Sequence, residues 1–211
     1  MDVDAVEIRV LGCLIEKQRT TPDAYPLSLN ALRLACNQAT NRDPVVAYEE
    51  REIKAALDRM SNRGWTRFAS GVSSRALKYR QLLNEALGLS EPEISLLGVL
   101  MLRGPQTVGE LKQRSERLHR FGSIAEVAET LDGLTQRELV ARLERRPGQK
   151  EERWQQLLGG DAELAAAAEP VAPPVPSEGA DRLGAIEERL ERLEGAFDEL
   201  IARLDKVPDR G

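Results

Sequence analysis

Apolar residues recur at helical spacing near the start of the chain. Positions 3, 6, 10, 11, 14 and 15 are apolar and fall on one face of a helix. The stretch Thr20-Thr21-Pro22-Asp23 breaks this pattern. The spacing then predicts a second helix over about 28–38, with Ser28 as its N-cap. A third helix is predicted over about 48–62, buried through Ile53, Leu57 and Met60 and ended by Gly64.

Two short alternating segments follow the third helix. Residues 65–68 and 76–79 alternate between apolar and polar positions, and the turn Gly71-Val72-Ser73-Ser74 lies between them. Such a pattern predicts a β-hairpin. Three helices followed by a hairpin are the outline of a winged helix.

The same pattern occurs a second time. The segment EIRVLGCL at 7–14 returns as EISLLGVL at 93–100, and LDRM at 57–60 returns as LDGL at 131–134. Arg63 and Arg137 follow the second pair at the same spacing. Ordered matches of this kind indicate a tandem duplication. The second copy is predicted to have helices over 91–102, 107–118 and 123–137, then a hairpin formed by 138–143 and 152–157.

The expected fold is mainly α with small β-hairpins, in the α+β class. We predict a first winged-helix domain over 1–88 and a second over 89–160. Residues 161–180 are rich in Ala and Pro, which favours an extended linker. A C-terminal helix with heptad spacing is predicted over 181–207.

The C-terminal helix carries apolar residues spaced alternately by three and four positions. This spacing is an a/d seam across three heptads, and Arg182 and Arg189 at g would meet Glu187 and Glu194 at e of a parallel partner. The pattern predicts a homo-oligomer, with a parallel dimer favoured. The alternative is one amphipathic helix folding back on its own chain. The seam residues are Leu183, Ile186, Leu190, Leu193, Phe197, Leu200 and Leu204.

Composition argues against several classes of function. The chain has one histidine, His119, and lacks the phosphate-binding, dinucleotide-binding and nucleophile motifs of common enzymes. We therefore expect no enzyme activity, no cofactor and no metal site. No run of about 18 apolar residues or signal-peptide pattern occurs, which predicts a cytoplasmic protein without membrane contact. Cys13 and Cys36 lie on apolar helical stripes and are expected to be reduced core residues.

Charge is distributed unevenly along the chain. The formal net charge of the chain is −5. Residues 1–88 have a net charge of +2, residues 89–159 have a net charge of zero, and residues 160–211 have a net charge of −7. Local patches therefore matter more than the total. A winged helix that binds DNA places basic residues on its third helix and hairpin. The nucleic-acid-binding candidates are Arg42, Arg51, Lys54, Arg67, Arg75, Lys78, Arg145, Arg146 and Lys150.

Amide side chains are concentrated in residues 25–45, at the entrance and exit of the second predicted helix. They suit a hydrogen-bonded scaffold for an irregular corner of the chain. The alternative is that Asn41 and Arg42 contact a phosphate or a partner. The corner residues are Tyr25, Asn30, Asn37, Gln38 and Asn41.

The run EKQRTTPDAYPLSLNALRLACNQATNRDPV, together with EVAETLDGL and RRPGQKEERW, resembles the YceH-like family of uncharacterised bacterial proteins. The resemblance extends from about residue 4 to 158 and implies a pair of winged helices. It implies no particular activity.

Two functions are compatible with this fold. One is a dimeric DNA-binding transcriptional regulator or nucleoid-associated factor. The other is a protein-docking module resembling segregation and condensation protein B. Glu49, Glu50 and Glu52 in the first turns of the third helix favour the second reading, because they would repel a phosphate chain.

Overall fold

The computed structural model describes residues 3–69, 77–145 and 151–159, which all belong to one compact unit of the chain. These residues form an α+β fold in which helices carry most of the core and small antiparallel sheets lie beside them, as the sequence predicts. The linker at 161–180 and the heptad helix at 181–207 lie outside the described residues.

Three helices build the first copy of the repeat: α1 (Ala5–Thr20), α2 (Leu29–Cys36) and α3 (Glu50–Asn62). Helix α1 begins with a capping box, in which the Asp4 carboxylate accepts from the Glu7 amide at 2.8 Å and the Glu7 carboxylate accepts from the Asp4 amide at 3.0 Å. Ser28 caps α2, as predicted, by accepting from the Ala31 amide at 3.2 Å. Gly64 follows α3 with a φ of 75°, a left-handed conformation that glycine adopts without strain.

A three-stranded sheet completes the first copy. The hairpin strands are β2 (Thr66–Ala69) and β3 (Lys78–Gln81), and β1 (Leu27–Ser28) pairs with the other side of β3, giving the order β1-β3-β2. Tyr79 stands opposite Leu27 on one side and Phe68 on the other. The pattern of the sequence predicts the hairpin but not β1, which is only two residues long. A short helix, α4 (Leu83–Leu87), then leads to the second copy.

The second copy repeats this order with α5 (Glu91–Arg103), α6 (Val108–Arg114) and α7 (Ile124–Gln136), followed by the hairpin of β4 (Val140–Leu143) and β5 (Arg153–Gln156). An isolated bridge between Gln106 and Trp154 takes the place of the β1–β3 pairing. Helix α6 is shorter than the predicted 107–118. It ends at Arg114 because Ser115 begins a tight turn, in which the Leu118 amide donates to the Ser115 carbonyl at 2.7 Å.

Equivalent side chains make equivalent contacts in the two copies. Arg63 donates to Glu7 at 3.3 Å, and Arg137 donates to Glu93 at 3.1 Å. Each pair joins the first turn of a copy's first helix to the residue that follows its third helix. The Gln81 and Gln156 side chains, which end the two hairpins, each accept a backbone amide two residues ahead at 2.7 Å. The repeat seen in the sequence is thus also a repeat of contacts.

The two copies meet where α1 packs against α5. Both helices are buried all round over their central turns, residues 7–15 and 94–102. A glycine at the same place in each repeat allows the close approach. A Cβ on Gly12 would lie 2.9 Å from Leu102 Cγ, and a Cβ on Gly98 would lie 2.9 Å from Ile15 Cγ2. One hydrophobic core therefore continues through both copies.

Candidate nucleic-acid interface

Arg42 is enclosed, not presented to solvent. Its guanidinium donates to both carboxylate oxygens of Glu16, at 2.6 and 3.2 Å, and to the Ala35 carbonyl at 3.0 Å. It also donates to Gln38 Oε1 at 2.8 Å, and its side chain is 0% exposed. The prediction that Arg42 contacts a nucleic acid is therefore wrong, because every direction in which it could donate is taken by the protein. Gln38 acts as part of this scaffold.

Asn37 holds the loop between α2 and α3. Its amide donates to the Tyr48 carbonyl at 2.9 Å and accepts from the Tyr48 amide at 2.9 Å. The Asn37 side chain thus pairs with both backbone groups of Tyr48, as a neighbouring strand would, although the two residues are eleven positions apart. This use of an amide agrees with the scaffold interpretation of the corner.

Tyr25 and Asn30 differ in how far their contacts reach. The Tyr25 hydroxyl accepts from the Gln81 amide at 2.8 Å and so ties the entrance of α2 to the end of β3. Burial raises the pKa of Tyr25 to about 12, because the phenolate would lose its hydration. Asn30 is exposed, and among the described residues its side chain only accepts from Arg33, one turn along the same helix, at 3.2 Å.

Asn41 connects the corner to the second copy. It adopts a left-handed φ of 59°, and its side-chain oxygen accepts a hydrogen bond from Arg103 at the end of α5. Two residues later, the Asp43 amide donates to the Leu102 carbonyl at 2.8 Å. The loop that follows α2 is therefore held by both copies of the repeat.

Most basic side chains of α3 form ion pairs with acidic residues of the same copy. Arg59 pairs with Asp4, and both Arg59 and Arg63 contact the buried Glu7 carboxylate. Lys54 pairs with Asp58 at 2.6 Å, a contact that raises the pKa of the ammonium group. Arg51 differs from these residues, because it is exposed and its side chain makes no ion pair or hydrogen bond with the described residues.

The outer face of the first hairpin carries three cations. Arg67 on β2 stands directly opposite Arg80 on β3, and Lys78 lies two residues before Arg80 on the same face. Arg80 reaches Glu85 at 2.9 Å, whereas Arg67 and Lys78 have no charged partner in the part of the chain that the structure describes. Like charges placed directly across two strands repel each other. Arg75 lies outside the described residues.

The second hairpin has acidic partners for two of its described basic side chains. Arg142 pairs with Glu152 across the hairpin at 3.1 Å, and Arg153 pairs with Glu110 at 3.0 Å. Arg145 is exposed and has no partner among the described residues, while Arg146 and Lys150 lie outside them. Helix α7 carries no basic residue.

The described residues contain no cluster of three or more His, Cys, Asp or Glu side chains arranged to hold a metal ion. Cys13 and Cys36 are free thiols inside the core, as their place on apolar stripes predicts. Among the helices of the described ranges, none combines the length and the apolar character needed to cross a bilayer.

The geometry described so far defines an α+β protein made of two similar helical units, each ending in a hairpin. The chain belongs to the family described as protein of unknown function, DUF480, whose model matches residues 3–149. The resemblance to YceH-like proteins is thereby confirmed. A UPF0502 protein from Solibacter usitatus is 46% identical over 200 residues, which cover 93% of this chain and 95% of the relative.

Two further relatives show the same extent of similarity. A UPF0502 protein from Geobacter metallireducens is 49% identical over 196 residues, covering 91% of this chain and 87% of the relative. The UPF0502 protein YceH from Escherichia fergusonii is 42% identical over 210 residues, covering 96% of this chain and 98% of the relative. The similarity thus spans nearly the whole of each chain.

Proposed function

We propose that this protein is a non-enzymatic DNA-binding protein, a transcriptional regulator or nucleoid-associated factor, built from two tandem winged helices. The order of elements supports this fold assignment. Each copy has three helices and a terminal hairpin, and the segment between the first two helices pairs with the last strand. In such folds the third helix and the hairpin face the nucleic acid.

The observation that carries the proposal is the cationic outer face of the first hairpin. Arg67 and Arg80 are directly opposed on neighbouring strands, and only Arg80 has an acidic partner. The two guanidinium groups repel each other in the isolated protein, and a phosphate bound between them would remove this repulsion. Arg51 on α3 and Lys78 on the hairpin add two more cations without a described partner.

Salt dependence of binding to duplex DNA tests this proposal. Four phosphate contacts would give a slope of about −3.6 in log affinity against log salt, so affinity would fall roughly 150-fold between about 50 and 200 mM salt. Arg67→Gln should weaken binding to all sequences and reduce the slope by about one. Arg33→Gln is the matched control, because Arg33 on α2 already contacts Asn30 and Glu50.

Fluorescence anisotropy with a labelled duplex measures both quantities. Affinity that is undetectable at low salt, or a slope near zero, would refute DNA binding. Equal losses in Arg67→Gln and Arg33→Gln would refute the assignment of the hairpin face.

The second candidate function is docking to another protein, in the manner of segregation and condensation protein B. Exposed apolar side chains on the first hairpin favour it: Phe68 is 43% exposed and Leu77 is 56% exposed. Aromatic residues are enriched in protein interfaces. A protein partner held by these side chains would dissociate little as salt rises, which separates this function from DNA binding.

The dimer proposed from the heptad seam would place two such units on one DNA. Joining two weak sites raises the overall affinity without a new contact. Sedimentation of the full chain and of a chain ending at residue 180 tests this. We expect a dimer for the first and a monomer for the second, and an unchanged monomer in both would refute the coiled coil.

A further inference from the structure

A cleft of about 190 Å³ opens between the two copies of the repeat. One wall is formed by the C-terminal part of α1 and by the corner residues 38, 40 and 41. The other wall is formed by the end of α5, by α6 and by the turn that follows it. The cleft is separate from the hairpin face, since it contains no residue of any strand.

The lining of the cleft is strongly cationic. Four basic side chains line it, Lys17, Arg103, Arg114 and Arg117, against the single carboxylate of Glu16. Counted formally, the lining carries a net charge of +3. The Glu16 carboxylate is also the partner of buried Arg42, at 2.6 Å. The negative charge of Glu16 is therefore already neutralised by a residue that does not line the cleft.

The protein neutralises the cations of the cleft only in part. Arg114 pairs with Glu110, one turn earlier on α6, at 3.5 Å. The Arg117 side chain is exposed and has no ion pair or hydrogen bond with the described residues. The Lys17 ammonium group has only Glu16, at 3.7 Å, as a charged partner among them. Arg103 bonds to the neutral Asn41. Burial, together with the positive charges of Arg114 and Arg42, lowers the pKa of Arg103. Positive charges are thus held close together, at a cost in repulsion that a bound anion would remove.

Size and shape restrict the class of ligand. A volume of about 190 Å³ is below the range of roughly 300–1,000 Å³ that drug-sized ligands occupy. The cations come from three segments, α1, α5 and the α6 region, and therefore approach from different directions. The tetrahedral oxygens of a phosphoryl group can accept from several directions at once, whereas a carboxylate accepts only near its own plane. Val99, Leu102 and Leu118 add an apolar part to the lining.

We propose that the cleft between the two copies binds a small phosphorylated anion that carries two or more negative charges. Lys17, Arg103, Arg114 and Arg117 hold the phosphoryl oxygens. Because α1 and the corner contribute one wall and the second copy contributes the other, the bound anion ties the two copies together. This site does not depend on DNA binding, and it offers the cell a way to stabilise the arrangement of the two copies with a metabolite.

Inorganic pyrophosphate is the probe, added to the full chain at constant ionic strength and measured by isothermal titration calorimetry. We expect saturable binding with one site per chain. Arg117→Gln should weaken it by about tenfold, the effect of losing one charge-assisted hydrogen bond. This variant should fold normally, because the Arg117 side chain has no partner to lose among the described residues.

Lys112→Gln is the matched control. Lys112 lies on α6 and its side chain has no ion pair or hydrogen bond with the described residues, but it does not line the cleft. It should bind pyrophosphate as the unaltered chain does. Equal weakening in Lys112→Gln and Arg117→Gln would show unspecific attraction and overturn the assignment of the cleft.

Citrate separates the phosphoryl group from other polyanions. We expect it to bind about tenfold more weakly than pyrophosphate, and equal or tighter binding would overturn the phosphoryl assignment. Absence of any saturable binding of pyrophosphate would overturn the site itself. Neither result bears on the salt dependence of DNA binding, so the two proposals fail separately.

Discussion

The contact between the two copies makes a sharp prediction about glycine. Gly12 in α1 and Gly133 in α7 both lie inside helices, where replacement by alanine normally stabilises by up to about 1 kcal/mol. Their surroundings differ. A Cβ at Gly133 would meet nothing within 4 Å, whereas a Cβ at Gly12 would lie 2.9 Å from Leu102 Cγ and 3.0 Å from Met101 Cβ. These atoms are close to the α5 backbone and cannot move aside cheaply.

The magnitude follows from two opposing effects. Overpacking a filled core costs about 1–3 kcal/mol, and the helix-propensity gain offsets up to about 1 kcal/mol of this. Gly12→Ala should therefore reduce the free energy of unfolding by about 0–2 kcal/mol. Gly133→Ala should increase it by about 0.5–1 kcal/mol. Because the propensity effect is common to both variants, the gap between them measures the clash alone.

Urea unfolding followed by circular dichroism measures this gap. With a slope of about 2 kcal/mol per molar urea, the midpoints of the two variants should differ by roughly 0.5–1.5 M. Equal stabilisation by Gly12→Ala and Gly133→Ala would refute the reasoning, since it would mean that α1 and α5 do not approach as described. Gly98→Ala should also destabilise, because its nearest neighbour is the stiff, branched Ile15 side chain.

Three further predictions concern polar groups. Asn37→Ala should lower the free energy of unfolding by about 1–3 kcal/mol, because it leaves both backbone groups of Tyr48 without a partner, while Asn30→Ala should change it by less than about 0.5 kcal/mol. Arg42→Met should cost about 3–5 kcal/mol, because it removes the buried partner of the Glu16 carboxylate. Lys54→Ala breaks an exposed pair and should cost about 0–1 kcal/mol in the same urea assay. Tyr25 is neutral in the folded state up to a pKa of about 12, against 10.0 in a model compound, so its contribution to stability is complete below pH 10 and is lost as the pH rises towards 12. The absorbance of tyrosinate should show this step in the native protein and lose it in Tyr25→Phe; titration of Tyr25 near pH 10 in the folded state would contradict its burial.

Local signals in the sequence were sufficient to predict much of the fold. Helical spacing located α1, α2 and α3, Ser28 marks the start of α2, and Gly64 ends the third helix. Each of these signals acts within a few residues of where it is read. The internal repeat predicts the same elements in the second copy. The ion pair of Glu93 with Arg137 there matches that of Glu7 with Arg63 in the first copy.

Features that depend on distant partners could not be predicted in this way. Strand β1 exists because Leu27 pairs with Tyr79, and two residues carry no periodicity of their own. The sequence makes Arg42 a nucleic-acid-binding candidate, but its partner Glu16 is 26 positions away. Nothing between them in the sequence marks the pair.

The close contact between the copies did have a sequence signal. The segments 7–14 and 93–100 are apolar on nearly every side and share a glycine at the same position. A helix that is apolar all round is one that is buried all round. Such a helix packs against the core of its own copy on one side and against the other copy on the opposite side. Helices α1 and α5 are both placed in this way.

Unpaired cations, more than the number of cations, indicate where this protein can act. Residues 1–88 and 89–159 are each nearly neutral in net charge, so most of their basic residues have an acidic partner available. Arg59 pairs with Glu7, and Arg153 pairs with Glu110. Pairing of this kind uses up the charge within the fold. Arg67 on the hairpin and Arg117 in the cleft lack such partners among the described residues, although each lies beside another arginine of the same surface. Because the fold leaves these two positive charges uncompensated next to others of the same sign, an anion supplied from outside is the group that each position is suited to receive.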